Sequence, residues 1–271
     1  MHLSVLPSDV INYITRYLHN SEIYKLISLF DFGVWVPKVC IYEDRLIHKL
    51  IGTQNVQTVR IHGLDNLVDI SALFNVPNVT IVSCSKLADI SPLRNSKRVT
   101  IYDCNVSDIS SLYNVPTLTI GSIPIRDDEN GISSLSNVEK LFITKLPLVN
   151  RWCFMPFTNI TSLTLRNVSI SNVSCLSSIP KVHLIECNNV TNVEPLRGVV
   201  YLILELCSNI TDLTPLVDVP KMQIISCYNA NTNDIAKIHR GNPDIRLITM
   251  GYDNGKPMIL CITHKNQVEK W

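Results

Sequence analysis

The chain has 271 residues, of which 46% are hydrophobic and 17% are charged, and its formal net charge at pH 7 is +1. A chain of this length and apolar content can bury a large core, and its composition differs from that of disordered proteins. Because the net charge is close to zero, the chain has no strong field to gather nucleic acid or an anionic membrane. Neither is therefore expected as a partner.

The sequence shows no sign of membrane insertion or export. No window approaches the ~20 apolar residues of a transmembrane helix. The first ten residues, MHLSVLPSDV, lack the basic start and long apolar run of a secretory signal. We expect a soluble protein of the cytoplasm or nucleus, and its nine cysteines are expected to be reduced there.

Residues 1–40 show helical spacing in two runs. The apolar positions of these runs are Val10, Ile14, Tyr17 and Leu18, then Ile23, Leu26, Ile27 and Phe30. The tetrapeptide His19-Asn20-Ser21-Glu22 supplies a break and a cap between them. A small helical module is therefore predicted at this end.

This module resembles an F-box over residues 6 to about 37, with a Leu-Pro pair, an acidic residue, helical apolar positions and a closing aromatic. Asp31-Phe32-Gly33 stands in place of the usual basic, polar run before the tryptophan. In that family this surface binds a Skp-type adaptor, which links the protein to a cullin-RING ubiquitin ligase. The adaptor-binding residues that the resemblance implies are Leu6, Pro7, Val10, Ile11, Ile14, Tyr17, Leu18, Ile23, Leu26 and Trp35. The alternative is a helical cap that shields the first repeat of a solenoid.

Residues 41–56 are predicted to be a linker helix, because Ile41 to Ile51 has helical spacing. Residues 57–250 then repeat an apolar-x-apolar triplet at steps of about 20 residues. The triplets begin at Val59, Val79, Val99, Leu118, Leu141, Leu163, Val182, Leu202 and Met222. Many are followed by a cysteine, at Cys84, Cys104, Cys187, Cys207 and Cys227, and by a step such as Asp89-Ile90-Ser91.

This pattern resembles the leucine-rich repeat. Each triplet is predicted to be a short strand with its outer residues buried, and the stacked strands form one parallel sheet. The return path suits a short helical turn at Ser91-Pro92, Glu194-Pro195 and Thr214-Pro215, with an N-cap acceptor followed by proline. The fold class is thus α/β: an F-box-like helical module followed by a solenoid with a curved parallel sheet.

The repeated cysteines are interpreted as a structural column of small, inward-facing thiols. Disulfides between neighbouring strands and a metal site are the alternatives, but the chain has no CxxC pair or Cys/His knuckle. The N-x-S/T sequons, such as those at Asn78, Asn159 and Asn209, are interpreted as turn asparagines. Glycosylation would instead indicate an extracellular adhesion module.

Residues 251–271 are predicted to cap the sheet with a β-hairpin, because two apolar runs flank Asp253-Asn254-Gly255. No nucleotide-binding, zinc-protease or serine-hydrolase motif occurs in the chain. We therefore expect a non-catalytic protein that requires no cofactor and acts through its surfaces.

The combined resemblance implies a substrate-recognition subunit of an SCF-type ubiquitin ligase, with a Skp-type adaptor, a cullin and a protein substrate as partners. The alternative is a ligase-independent scaffold or adhesion module. The degenerate repeats beside an F-box are similar to proteins of large DNA viruses and protists. A viral protein would act in the host cytoplasm or nucleus.

The substrate is predicted to bind the concave face of the later repeats, where strand alternation places apolar and charged side chains together. The candidate residues are Phe142, Arg166, His183, Ile185, Glu186, Ile203, Glu205, Leu206 and Ile225. This mixture of apolar groups and acids predicts a basic and apolar partner segment.

Overall fold

The structure is a computed structural model. It describes residues 39–41, 47, 56–125, 131–135, 137–146, 159–241, 246–253, 256–262 and 268–270. The F-box resemblance at residues 6–37, with all the adaptor-binding candidates from Leu6 to Trp35, lies outside the described residues. Val39 and Cys40, the end of the predicted helical module, belong to a strand instead. The chain divides into two compact units, Met1–Leu135 and Ser136–Trp271.

The first unit contains parallel strands that pair in chain order. They are β1 Val39–Ile41, β2 Thr58–His62, β3 Asn78–Cys84, β4 Arg98–Cys104 and β5 Thr117–Gly121. Most of the predicted linker helix lies outside the described residues. Its first residue, Ile41, belongs to β1 and pairs with Ile61, so this end is extended and joins the sheet. Sheet formation therefore begins before the first recognisable repeat.

The second unit continues the same design and ends differently. Its strands are β6 Lys140–Thr144, β7 Ser162–Arg166, β8 Lys181–Ile185, β9 Tyr201–Glu205, β10 Lys221–Ile225, β11 Arg246–Asp253, β12 Lys256–Ile262 and β13 Val268–Lys270. Strands β6 to β11 are parallel neighbours in order. β11 and β12 then form the predicted antiparallel hairpin, and β13 adds a further antiparallel strand. The hairpin prediction is confirmed, although β11 crosses the predicted boundary at residue 250.

Burial follows the triplets. The two outer residues of every triplet from Val59 to Ile224 are at most 2% exposed, because alternation along a strand turns them to the same side. Apolar residues between the strand and the return turn, such as Leu87, Ile90 and Leu93, are also buried. The repeats therefore share one kind of core, built from equivalent side chains of successive turns.

Short 3-10 helices carry the chain along the side away from the strands. They are Ser71–Leu73, Ser91–Asn95, Ser110–Leu112, Ile132–Ser134, Ser174–Leu176, Glu194–Gly198 and Thr214–Leu216. After β10 this element becomes an α-helix, α1, Thr232–Gly241, which the sequence analysis missed. Among the described residues, none of the helices has the length and apolar content needed to cross a membrane.

The start of these turns differs from the prediction in one respect. The serine, threonine or glutamate before the proline does not cap the turn with its side chain. The acceptor lies two residues earlier: Asp89 Oδ1 accepts from the Ser91 N–H at 2.9 Å, and Asn192 Oδ1 accepts from the Glu194 N–H at 2.9 Å. Short Asp and Asn side chains reach the backbone two residues on more readily than a hydroxyl does. This explains the recurrent Asp or Asn of the repeat.

Replacing Asp89 with alanine should lower the free energy of unfolding by about 0.5–1 kcal/mol, because the Ser91 N–H loses its acceptor. Asp89→Asn is the matched control, since an amide oxygen performs this task at Asn172 and Asn192. Urea denaturation followed by circular dichroism measures both variants. Equal losses in the two would show that the charge, not the hydrogen bond, stabilises the turn.

Each cysteine of the column follows a residue with positive φ, where the strand bends. The φ values are 54° at Ser83, Glu186 and Leu206 and 53° at Asp103 and Ser226. After the bend the thiol faces the core and contacts backbone carbonyls, as predicted. Cys187 Sγ lies 3.4 Å from the carbonyl oxygen of Leu165, and Cys207 Sγ lies 3.5 Å from that of Leu184. Cys104, Cys187, Cys207 and Cys227 therefore each contact the strand of the preceding repeat.

Candidate functional site

The outward face of β6 to β10 is here called the exposed sheet face. Strand pairing aligns its residues in three rows that cross the strands. The first row is Lys140, Ser162, Lys181, Tyr201 and Lys221. The middle row is Phe142, Thr164, His183, Ile203 and Gln223. The third row is Thr144, Arg166, Ile185, Glu205 and Ile225.

The predicted substrate-binding residues meet on this face. Phe142, His183 and Ile203 belong to the middle row, and Arg166, Ile185, Glu205 and Ile225 belong to the third row. Glu186 and Leu206 lie beyond the ends of β8 and β9, where φ is positive. The bend, rather than the strand alternation assumed from the sequence, therefore sets the position of these two residues.

Two of the predicted apolar contacts are less exposed than expected. Ile185 and Ile203 are each only 9% exposed, since neighbouring strands about 4.8 Å apart place other side chains beside them. Phe142, Leu206 and Ile225 are half-buried. The accessible apolar surface of the face is therefore smaller than the sequence suggested, and polar side chains form much of the exposed surface.

The acids of the exposed sheet face have partners. His183 Nε2 lies 3.1 Å from Glu205 Oε2 across the β8–β9 pair. Arg166 lies 3.7 Å from Glu186, measured between a guanidinium nitrogen and Oε1. Arg166 therefore offsets part of the charge of Glu186, whereas the contact between His183 and Glu205 is a hydrogen bond that offsets charge only when the imidazole is protonated.

Burial lowers the pKa of His183 below its ordinary value of 6.5, and the hydrogen bond and charge of Glu205 oppose this effect. The positive charge of Lys181 adds to the lowering. Because the net shift is downward, the neutral imidazole is the form that the fold favours.

This shift predicts a pH dependence of stability. The unfolded chain takes up a proton at His183 more readily than the folded chain, so stability should decrease as the pH falls from 7.5 through 6.5 towards the lower folded pKa. His183→Gln should remove this part of the dependence, whereas His62→Gln, at an exposed position of β2, should leave it. Urea titrations at several pH values measure it. An unchanged profile in His183→Gln would contradict the assignment.

The first row was missed. Lys181 Nζ lies 5.0 Å from the centroid of the Tyr201 ring, and Gln223 Nε2 donates to the Tyr201 hydroxyl at 2.8 Å. The signal was present in the sequence: alternation gives the residue before each triplet the same direction as the triplet's middle residue. Lys140, Lys181 and Lys221 all hold that position, and all three are exposed.

The chemistry available here is that of recognition. Among the described residues, no group of three His, Cys, Asp or Glu side chains could hold a metal ion. The exposed sheet face offers cations, a fixed phenol, an amide and partly exposed apolar groups in regular rows. Repeated side chains on a solenoid sheet form an extended surface suited to protein interaction.

No protein-family model matches the sequence, and no curated protein matches it. Solved structures are similar. An internalin, InlF from Listeria monocytogenes, is 18% identical over 93% of this chain and 81% of its own, with a TM-score of 0.53. The leucine-rich repeat domain of the type III effector XopL is 17% identical over 67% of this chain and 73% of its own, with a TM-score of 0.45. Internalin C2 from L. monocytogenes is 20% identical over 64% of this chain and 78% of its own, with a TM-score of 0.42.

At these identities the likeness concerns fold. The parallel strands, the short 3-10 returns and the similarity to internalin F together confirm the repeat prediction. The described part of the chain has the fold of a leucine-rich-repeat solenoid.

Proposed function

We propose that this protein is a non-catalytic substrate-recognition subunit of an SCF-type cullin-RING ubiquitin ligase, and that its exposed sheet face holds the protein substrate. The observation that carries the substrate-binding half is the alignment of cationic, aromatic and amide side chains across five neighbouring strands. Charged and aromatic groups in a patch with partly exposed apolar residues are typical of protein interfaces.

The ligase half of the proposal comes from the F-box resemblance of residues 6–37. A helical module of this size would not bury all its apolar residues alone, so the surface that the sequence predicts around Leu6, Pro7 and Val10 would suit an adaptor. The chemistry of ubiquitin transfer would then belong to the other subunits. We propose a cytoplasmic location, or the host cytoplasm or nucleus for a viral protein that diverts the host's ubiquitin machinery.

The test uses the full chain with two separate changes. Leu6→Ala combined with Pro7→Ala should abolish co-purification of a Skp-type adaptor and cullin while substrate capture continues. Phe142→Ala should reduce substrate capture by a stalled ligase, by about fivefold or more for an aromatic anchor, while adaptor binding continues. Phe74→Ala is the matched control, because Phe74 is exposed outside the exposed sheet face. Adaptor recovery that is equal with and without the Leu6/Pro7 change would refute the ligase role.

A ligase-independent scaffold is the second candidate, since the exposed sheet face is formed entirely by the repeats. Its extracellular form is disfavoured by three sequon asparagines whose amides are already engaged. Asn78 Nδ2 donates to the Gln57 carbonyl at 2.9 Å, Asn159 Nδ2 to Asn137 Oδ1 at 2.9 Å, and Asn209 Nδ2 to the Asn188 carbonyl at 2.6 Å. A mobility shift on glycosidase treatment would support the extracellular form instead.

A further inference from the structure

The first row of the exposed sheet face has a regular charge pattern. Lys140, Lys181 and Lys221 occupy β6, β8 and β10, and Ser162 and Tyr201 lie between them in register. Since neighbouring strands are about 4.8 Å apart, successive lysines of the row are separated by about 9.6 Å. The row therefore places three exposed lysines at equal backbone intervals along a line that crosses the strands.

The positive charge of this row has no paired acid in the part of the chain that the structure describes. Among the residues that the structure describes, no acidic side chain forms an ion pair with any of the three lysines. The acids of the same face contact Arg166 and His183 instead. Charge complementarity therefore favours an acidic partner at the first row.

Tyr201 provides a second type of contact. Its ring is fixed between Lys181, whose Nζ lies 5.0 Å from the ring centroid, and Gln223, which donates to its hydroxyl. The ring is half-buried, so part of its surface remains open between two lysines. Aromatic side chains of this kind are what proline-rich segments in the polyproline II conformation bind.

We propose that the first row binds an acidic polyproline II segment of a partner protein, with a carboxylate at every third residue and proline between the carboxylates. This conformation has three residues per turn and rises 3.1 Å per residue, so every third side chain points the same way at intervals of about 9.3 Å. The interval matches the lysine separation of about 9.6 Å. The inference rests on the proposed use of the exposed sheet face for substrate binding, and it names the class of substrate segment.

Other backbone conformations fit this row less well. In a β-strand, side chains on one face recur every two residues, at about 6.7 Å. This interval is too short for consecutive side chains to reach consecutive lysines. In an α-helix, side chains on one face recur after seven residues, at about 10.5 Å. This interval exceeds the lysine separation by about 1 Å at each step. Of the three conformations, polyproline II has the period closest to the lysine separation, and it is the one that places proline between the carboxylates.

The test measures binding of two labelled peptides to the full chain by fluorescence anisotropy at low salt. The first peptide has four Glu-Pro-Pro triplets, and the second has the same composition with its glutamates in adjacent pairs. We expect the periodic peptide to bind about tenfold more tightly, because exposed ion pairs each contribute only modestly and must form together. Lys140→Gln with Lys181→Gln and Lys221→Gln should weaken its binding by a similar factor.

The matched control replaces Lys86, Lys97 and Lys145 with glutamine, which removes the same charge from exposed positions outside the row. It should leave peptide binding nearly unchanged. Equal binding of the two peptides, equal loss in both triple variants, or tighter binding of a Lys-Pro-Pro peptide would each overturn the proposal. Stronger binding of a single-stranded oligonucleotide would also overturn it, in favour of a phosphate backbone.

The peptide experiment and the substrate-capture experiment can fail independently. If the periodic peptide fails to bind but substrate capture still depends on Phe142, the exposed sheet face remains the substrate site and only its acidic ligand class is refuted. If substrate capture is unaffected by Phe142→Ala, the proposed function fails at its own test. Circular dichroism of every variant shows that the repeats remain folded.

Discussion

Replacing Leu204 with alanine is expected to lower the free energy of unfolding by about 3 kcal/mol. Leu204 is completely buried in β9 and lies between Leu184 and Ile224 on the neighbouring strands. Removal of its side chain leaves a cavity that the flanking strands cannot close without losing their own pairing. Urea denaturation followed by circular dichroism measures the loss.

Leu206→Ala is the matched control for this change. The same side chain is removed from the same repeat, but Leu206 is half-buried at the bend after β9. Alanine also has a Cβ, so any strain from the positive φ of 54° is retained. We expect a loss below about 1 kcal/mol. Similar losses in the two variants would mean that the core does not follow the triplet pattern.

Cys187 is expected to react with iodoacetamide about 100-fold or more slowly than Cys175 in the native protein, because a buried thiol reacts only after local opening. Burial raises the pKa of the Cys187 thiol, so less of the reactive thiolate is present. Cys175 lies at an intermediate depth on the opposite side of the repeat. Peptide mapping by mass spectrometry gives both rates.

In 6 M guanidinium chloride the two cysteines should react at similar rates, which is the control for intrinsic reactivity. Fast native alkylation of Cys187 would contradict the view that the cysteine column belongs to a closed core. It would instead indicate that the bend after β8 opens readily.

The strands of the repeats could be predicted because their signal is local. Each triplet supplies two inward residues, such as Val182 and Leu184, and strand alternation determines the rest. The hairpin was also predictable, since Asp253-Asn254-Gly255 marks a turn between two apolar runs. Helix α1 was missed because its stretch lacks the usual proline and leucine; Ile235 and Ile238, both buried, were its available signal.

The sequence predicted which strand residues share one face, but it did not predict their contacts with one another. Alternation correctly brought Phe142, His183 and Glu205 to one face. The burial of Ile185 and the ion pair between Arg166 and Glu186 depend on residues about 20 positions away in the sequence. The ion pair also depends on a backbone bend, which the residue pattern of a single strand does not predict. The lysines stand outside the apolar-x-apolar triplet, at the residue before it, so the triplet pattern does not include them.

The in-register stacking of the repeats has a consequence for how such a gene can change. Every repeat adds one residue to each row, so recombination that duplicates or deletes a whole repeat leaves all rows continuous. Such a duplication or deletion changes the distance between the residues on either side of it by one strand spacing, about 4.8 Å. Loss of the repeat that contains Ser162 would place Lys140 beside Lys181, whereas loss of two repeats would restore even spacing with fewer cations. The number of repeats between the lysines, odd or even, would thus determine the spacing of the charges that a ligand must match, and this number is inherited with the gene.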